Sequence, residues 1–355
     1  GAVAGGQQGH FGVLRTGQTL VQSLECGGQL VDRERKPATQ VNGGGGVLLN
    51  NAPQDVAQII TAHRRLGTVA MLPTLISDTS AMMVRAVDAI LADPDILGLH
   101  LEGPHIARAG THDLRHIRPL DDLTITQIAR LTAAGRVAKI TLAPEAVTAG
   151  QVRHLVDMGA VVAIGHSDAT AEQVWPLLNE GAHCFTHLYN AMSPMLGRAA
   201  GVTGAAILSD AYLGLICDGH HVSDDMIRLA LRACPDRIFL ISDAMATVGG
   251  PDSFHLYGRK IALKDGRLIN SDGVLAGAHL TMGQAMRRMI CECRVDPSRA
   301  LRMAVTIPSQ VIHRPSLAKI TGRQARDIIL LDEDWHLTGT CADILSDLPQ
   351  DNHLV

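Results

Sequence analysis

The chain has 355 residues, 46% of them apolar and 3% aromatic, with a formal net charge of −4. That is enough apolar side chain for one large domain, or one large and one small, but too few rings for a sugar site walled by stacked aromatics. Charge without runs of one sign excludes a nucleic-acid footprint, and no apolar run has the length of a membrane span or the pattern of a signal peptide.

In chain order, residues 1–38 read as short β segments with turns (GHFGVLRTGQTLVQSLECGG), and residues 314–355 read alike (ITGRQARDIILLDED). Both ends are therefore assigned to one small β-sandwich domain. Residues 39–313 alternate β-type runs with helix-period segments. The runs end at TQVNGG (39–44), TVAMLPT (68–74), ILGLHLEG (96–103), AKITLAPE (138–145), VVAIGHS (161–167), HCFTHLYN (183–190), LGLICDG (213–219) and RIFLISDA (237–244). Between the first two, Val56, Ile59, Ile60 and Leu66 fall on one helix face, with Pro53 at the start and Gly67 at the stop. TAGQVRHLVDMG, TAEQVWPLLNEG and SDDMIRLALRAC repeat that plan, each led by a Thr or Ser suited to an N-cap.

Eight such alternations predict a (β/α)8 TIM-like barrel. An open doubly wound sheet is the rival, but no GxGxxG follows an early strand, and GGGG (43–46) lacks the Lys-Ser/Thr of a phosphate loop. The seven cysteines (26, 184, 217, 234, 291, 293 and 341) are scattered and include no CxxC pair, which reads as reduced thiols in a cytoplasmic protein.

Chemistry in such barrels sits at the C-terminal strand ends. Those ends carry Gln40 and Asn42, Glu102, Glu145, His166, His187, Asp218 with His220 and His221, and Asp243. A hydrolytic zinc-type site uses about three protein ligands and leaves a position for water. Glu102, His166 and His187 form such a set. Asp243 is placed to take a proton from water and return it to a leaving group, although an Asp there also suits a helix N-cap. An Asp-Gly turn accounts for Asp218 without function. Adjacent His220 and His221 diverge in an extended chain, so at most one faces the site.

HLEGPH (100–105), GTH (110–112), ITLAPE (140–145), GHSDAT (165–170), THLYNAM (186–192), DGHHVS (218–223), SDA (242–244) and LAGAHLTM (275–282) follow in order. Together they resemble the N-acetylglucosamine-6-phosphate deacetylase family of the amidohydrolase superfamily, over roughly residues 37–335. The resemblance implies hydrolysis of an acetamide on an amino-sugar phosphate, in amino-sugar catabolism. It implies that Glu102, His166 and His187 bind one divalent metal ion, Zn²⁺ first and Fe²⁺ second. Asp243 is then the general base and acid, and His112 polarises the acetyl carbonyl. Asn190, the Ala191 backbone and His221 contact the sugar phosphate, and Arg198 reaches the neighbouring site in a homodimer. Gln40-Val41-Asn42 stands where many amidohydrolases carry the His-x-His of a second metal, and resembles the single-metal branch. Two departures stand out: Lys36-Pro37-Ala38-Thr39 replaces a PGFID-like run, and Arg198-Ala199-Ala200-Gly201 replaces Arg-Glu-Pro-Gly. The competing expectations are an amidohydrolase for another N-acyl substrate, such as N-acetylgalactosamine 6-phosphate or an N-acyl amino acid, and a catalytically silent sugar-phosphate-binding barrel.

Overall fold

The computed structural model describes residues 13–16, 19–22, 37–271 and 273–343. Cys26 and most of residues 1–38 and 344–355 lie outside them. The chain divides into two compact units, one of residues up to Glu34 and from Lys319 onward, the other of Arg35–Ala318.

In the larger unit the eight expected strands all form: β1 Pro37–Val41, β2 Ala70–Ile76, β3 Gly98–Glu102, β4 Val137–Leu142, β5 Val161–Ile164, β6 Cys184–Phe185, β7 Tyr212–Ile216 and β8 Ile238–Ile241. They pair in parallel and in sequence order. The seam between first and last strand is narrow. It consists of a parallel bridge from Val41 to Ala244, two backbone bonds from Asn42 and Gly43 to the Ala244 carbonyl (2.9 and 3.0 Å), and Ser242 Oγ donating to the Gln40 carbonyl at 3.1 Å. Buried on both faces, β2, β3, β4, β5 and β8 have no exposed residue, which is why they read as apolar runs rather than alternations.

The helices of eight or more residues are α1 Val56–Arg65, α2 Ser80–Ala92, α3 Asp122–Ala133, α4 Ala149–Asp157, α5 Ala171–Asn179, α6 Gly201–Leu208, α7 Asp224–Ala233 and α8 Met282–Cys291. Thr148 and Thr170 open α4 and α5 with capping boxes closed by Gln151 and Gln173, and Ser223 caps α7 by accepting from Met226 N–H. The barrel interior carries an unusual polar layer. His100 Nε2 lies 2.8 Å from Thr141 Oγ1, which lies 2.7 Å from Thr186 Oγ1. Lys139 is fully buried, its Nζ donating to the Thr39 carbonyl at 3.4 Å, and burial pushes its pKa down.

Between β8 and α8 the alternation is interrupted by an antiparallel sheet, β9 Ser253–Leu256, β10 Arg259–Lys264 and β11 Arg267–Ile269. Its readable signal is Asp265-Gly266, both with positive φ (50° and 76°), the two-residue turn that joins β10 to β11. Phe254, Leu256, Ile261 and Leu268 pack with Leu48, Ile76, Met245 and Ala246, which fixes this sheet over the C-terminal ends of β2 and β8.

In the smaller unit, strands at Val13–Thr16, Thr19–Gln22, Ile329–Asp332 and Leu337–Thr340 form one four-stranded antiparallel sheet from both chain ends. Ile328, Leu330 and Cys341 form its buried apolar cluster, with Ile320 and Ala325 against it.

Candidate metal centre

Glu102 is the last residue of β3, while His166 and His187 each stand two positions beyond the last residue of β5 and β6. All three are buried, and their ligand atoms lie within 4.8 Å of one another. His187 Nε2 is 2.9 Å from His166 Nε2 and 3.0 Å from Glu102 Oε1; His166 Nε2 is 3.4 Å from the same oxygen.

The opposite ring nitrogens explain what this cluster needs. His166 Nδ1 lies 2.8 Å from the Arg108 carbonyl and His187 Nδ1 lies 3.1 Å from the Asn190 carbonyl. A carbonyl only accepts, so both Nδ1 atoms carry the hydrogens and both Nε2 atoms present lone pairs. Two bare nitrogens and a carboxylate then converge with no hydrogen to share, an arrangement that a divalent cation satisfies. Burial works against a charge on His187, but the hydrogen bond to Glu102 and the charge of that carboxylate outweigh it and raise the pKa of the ring. Burial likewise works against the Glu102 charge, and the two histidine hydrogen bonds outweigh it and hold the carboxyl well below its usual range.

The backbone is bent to aim these groups. His166, His187 and Asp243 all have positive φ (50°, 34° and 48°) immediately after their strands. Such conformations cost non-glycine residues about 1–3 kcal/mol each and persist where the surrounding structure over-determines them. Gly103, also left-handed, follows Glu102. A Cβ on it would come within 2.4 Å of Ser77 Oγ, so the turn that ends β3 has room only for glycine.

Asp243, after β8, is buried, and burial together with the Glu102 charge pushes its carboxyl up. Its Oδ1 accepts from Asn42 Nδ2 at 2.7 Å and from Gln40 Nε2 at 3.0 Å, and the same Gln40 nitrogen donates to Glu102 Oε1 at 2.9 Å. Gln40 thus bridges a ligand and the candidate base with one NH₂ group. Gln40 and Asn42 stand at a strand end, as expected, and in place of a His-x-His pair; the bridging role of Gln40 is added by the structure.

His112 packs against His166 with ring centroids 4.4 Å apart. Ser77 N–H donates to His112 Nδ1 at 3.2 Å, and Ser77 Oγ lies 2.7 Å from the same nitrogen. A backbone N–H can only donate, so Nδ1 is the bare nitrogen and Nε2 carries the hydrogen. Burial, then the charge of His166, lowers the pKa of His112 to about 3, which keeps the ring a neutral donor.

The remaining predicted residues lie on the loops after β6 and β7. Asn190 is half-buried, its Nδ2 donating to the Leu188 carbonyl at 3.3 Å, and the Ala191 carbonyl accepts from Ser167 N–H at 3.0 Å. His221 is held by Asp218, whose Oδ2 is 2.6 Å from His221 Nδ1 and whose Oδ1 accepts from the backbone N–H of His220 and His221. Asp218 therefore forms a turn, as its sequence indicates, and also orients a ring, which the sequence did not reveal. Its neighbour His220 is exposed. Glu145 braces the loop after β5 by accepting from Ser167 Oγ and Asp168 N–H, both at 2.8 Å. Arg198 sits at the tip of a tight turn closed by paired backbone bonds between Leu196 and Ala199, exposed and without a polar partner among the described residues.

No protein-family model matches the chain. It is 38% identical to an N-acetylgalactosamine-6-phosphate deacetylase from a Shewanella species, over 83% of this chain and 78% of that one. It is 31% identical to an N-acetylglucosamine-6-phosphate deacetylase from Haemophilus influenzae, over 81% of this chain and 80% of that one. Among solved structures, N-acetylglucosamine-6-phosphate deacetylase from Pasteurella multocida superposes with a TM-score of 0.79 at 33% identity, covering 86% of this chain and 84% of that one.

Proposed function

The chain belongs to the family of N-acetylglucosamine-6-phosphate and N-acetylgalactosamine-6-phosphate deacetylases, and from that premise we propose that it hydrolyses the acetamide of N-acetyl-D-glucosamine 6-phosphate to D-glucosamine 6-phosphate and acetate. The observation that carries the reading is the cluster of two bare imidazole nitrogens and Glu102 beside Asp243. A binding protein has no use for a buried base next to a cation site.

Glu102, His166 and His187 would hold one divalent ion, with Zn²⁺ the best match to a two-imidazole, one-carboxylate set and Fe²⁺ the next. When bound, that ion supplies a Lewis acid that brings the pKa of water to about 7. Asp243 takes the proton of the attacking water and delivers it to the amine nitrogen as the C–N bond breaks. His112 donates its Nε2–H to the acyl oxygen as negative charge develops there. Gln40 and Asn42 hold Asp243 by its Oδ1, which leaves Oδ2 to take the proton. His221, Asn190 and the Ala191 backbone hold the phosphate end.

Arg198 reaches the phosphate bound in the neighbouring subunit of a homodimer, a reading supported by its exposed position at a turn tip beside Met195 and Leu196, which are 48% and 61% exposed. Cys184, Cys217, Cys234, Cys291 and Cys293 are free thiols, in keeping with a cytoplasmic protein, and no helix among the described residues is long and apolar enough to cross a membrane. The galactosamine epimer is the second reading, favoured by the similarity to the Shewanella N-acetylgalactosamine-6-phosphate deacetylase.

Acetate release from both epimers, before and after chelation and re-addition of Zn²⁺ or Fe²⁺, tests the proposal. Activity should vanish with the metal and return with it, and the ratio of kcat/KM between epimers assigns the substrate. A fully metal-loaded protein inert to both sugars overturns the reading.

A further inference from the structure

Tyr257 opens the two-residue turn between β9 and β10. Tyr257 and Gly258 both have positive φ, 52° and 77°, a hairpin turn in which Asn or Gly is the unstrained choice for the first position. Here an aromatic residue occupies it and directs its side chain inward. The ring packs against the apolar cluster that includes Leu48, Ile76 and Met245. The hydroxyl donates to the Ser77 carbonyl and lies at the backbone N–H of Asp113.

Those two contacts flank one side chain. Ser77 is the residue whose N–H and Oγ both meet His112 Nδ1, and Asp113 follows His112 in the chain. A single phenol therefore ties the end of β2 to the loop that presents His112, from a sheet inserted after β8.

We propose that Tyr257 is a positioning residue: by fixing the Ser77 peptide and the Asp113 backbone to the β9–β10 turn, it keeps His112 in the tautomer and orientation that present Nε2–H to the acyl oxygen. The inference rests on the role assigned to His112 above. Tyr257 acts through Ser77, and its hydroxyl is committed to protein groups rather than to the reacting atoms.

The test compares the metal-loaded protein with Tyr257→Phe, which removes one hydroxyl and leaves the ring packing intact. With ¹⁵N-labelled histidine, the ring nitrogens of His112, assigned by their loss in His112→Asn, report the tautomer directly. The wild-type protein should show bare Nδ1 and protonated Nε2, and Tyr257→Phe should show a mixture of tautomers. On the epimer that the protein turns over, kcat should fall about tenfold in Tyr257→Phe with KM within twofold. An unchanged tautomer in Tyr257→Phe overturns the inference. So does a kcat loss that merely tracks a drop in melting temperature and recovers on cooling, since that marks a structural staple alone. If the loaded protein hydrolyses neither sugar phosphate, the functional reading fails while the tautomer comparison still decides this one.

Discussion

At the scale of single residues, the distinction that matters is between holding the metal and moving the proton. In the proposed mechanism Glu102 belongs to the first group and Asp243 to the second, and Gln40 donates to both (2.9 and 3.0 Å). Glu102→Gln replaces a charged ligand by a poor neutral one, so bound metal should fall to a small fraction of one equivalent, as read by elemental analysis, with activity lost alongside. Asp243→Asn keeps the shape but cannot accept a proton. It should retain a full equivalent of metal while kcat drops by at least a hundredfold; near-normal turnover would remove Asp243 from its role. The convergence of Glu102, His166, His187 and Asp243 was legible in the sequence because each stands at the end of a strand. The Gln40 bridge and the Asp218–His221 pair were not, because a hydrogen bond between residues of different strands, or one that doubles as a turn, leaves no periodic trace.

At the scale of elements, positions were readable wherever local chemistry and burial agreed. The capping boxes at Thr148 and Thr170 and the apolar strand runs mark the barrel's alternation directly. The β9–β11 sheet was harder to see, since its strands are three to six residues long and half exposed, so neither hydrophobic run nor alternation stands out. Thr148→Ala removes one cap of the barrel unit and should cost about 1 kcal/mol, a fall of about 2–4 °C in melting temperature, with kcat unchanged. The turn that carries Arg198 gives a contrasting prediction. Arg198→Ala should leave melting unaffected yet raise KM for the phosphorylated sugar at least tenfold, with little change for the unphosphorylated one, because charge-assisted pairing to phosphate is the role proposed for it.

At the scale of the whole molecule, buried histidines set the acid limit of the fold. His63 Nε2 lies 2.9 Å from the Gly43 carbonyl, and His105 bonds to the Pro119 carbonyl and Thr124 Oγ1 (2.9 and 2.8 Å). Burial lowers the pKa of both from 6.5. Below pH 6.5 the unfolded chain binds protons that the folded chain refuses, so stability is complete above that pH and falls as the pH drops. The slope approaches about 1.4 kcal/mol per pH unit for each such histidine. Denaturant melts at pH 7.5, 6.5, 5.5 and 5.0 should show a flat region followed by this decline; a midpoint constant down to pH 5 would contradict it. The narrow seam between β1 and β8 has a consequence in time as well as in space. Gln40 and Asp243 are 203 residues apart, a separation that takes a ribosome roughly 10–40 s to cover. Throughout that interval the emerging sheet has two bare edges, and the amide that will bridge ligand and base lacks its second partner. A nascent chain halted before Ile238 already contains Glu102, His166 and His187, yet its open sheet edges are templates for pairing with other chains, so it should aggregate rather than persist as a soluble fragment.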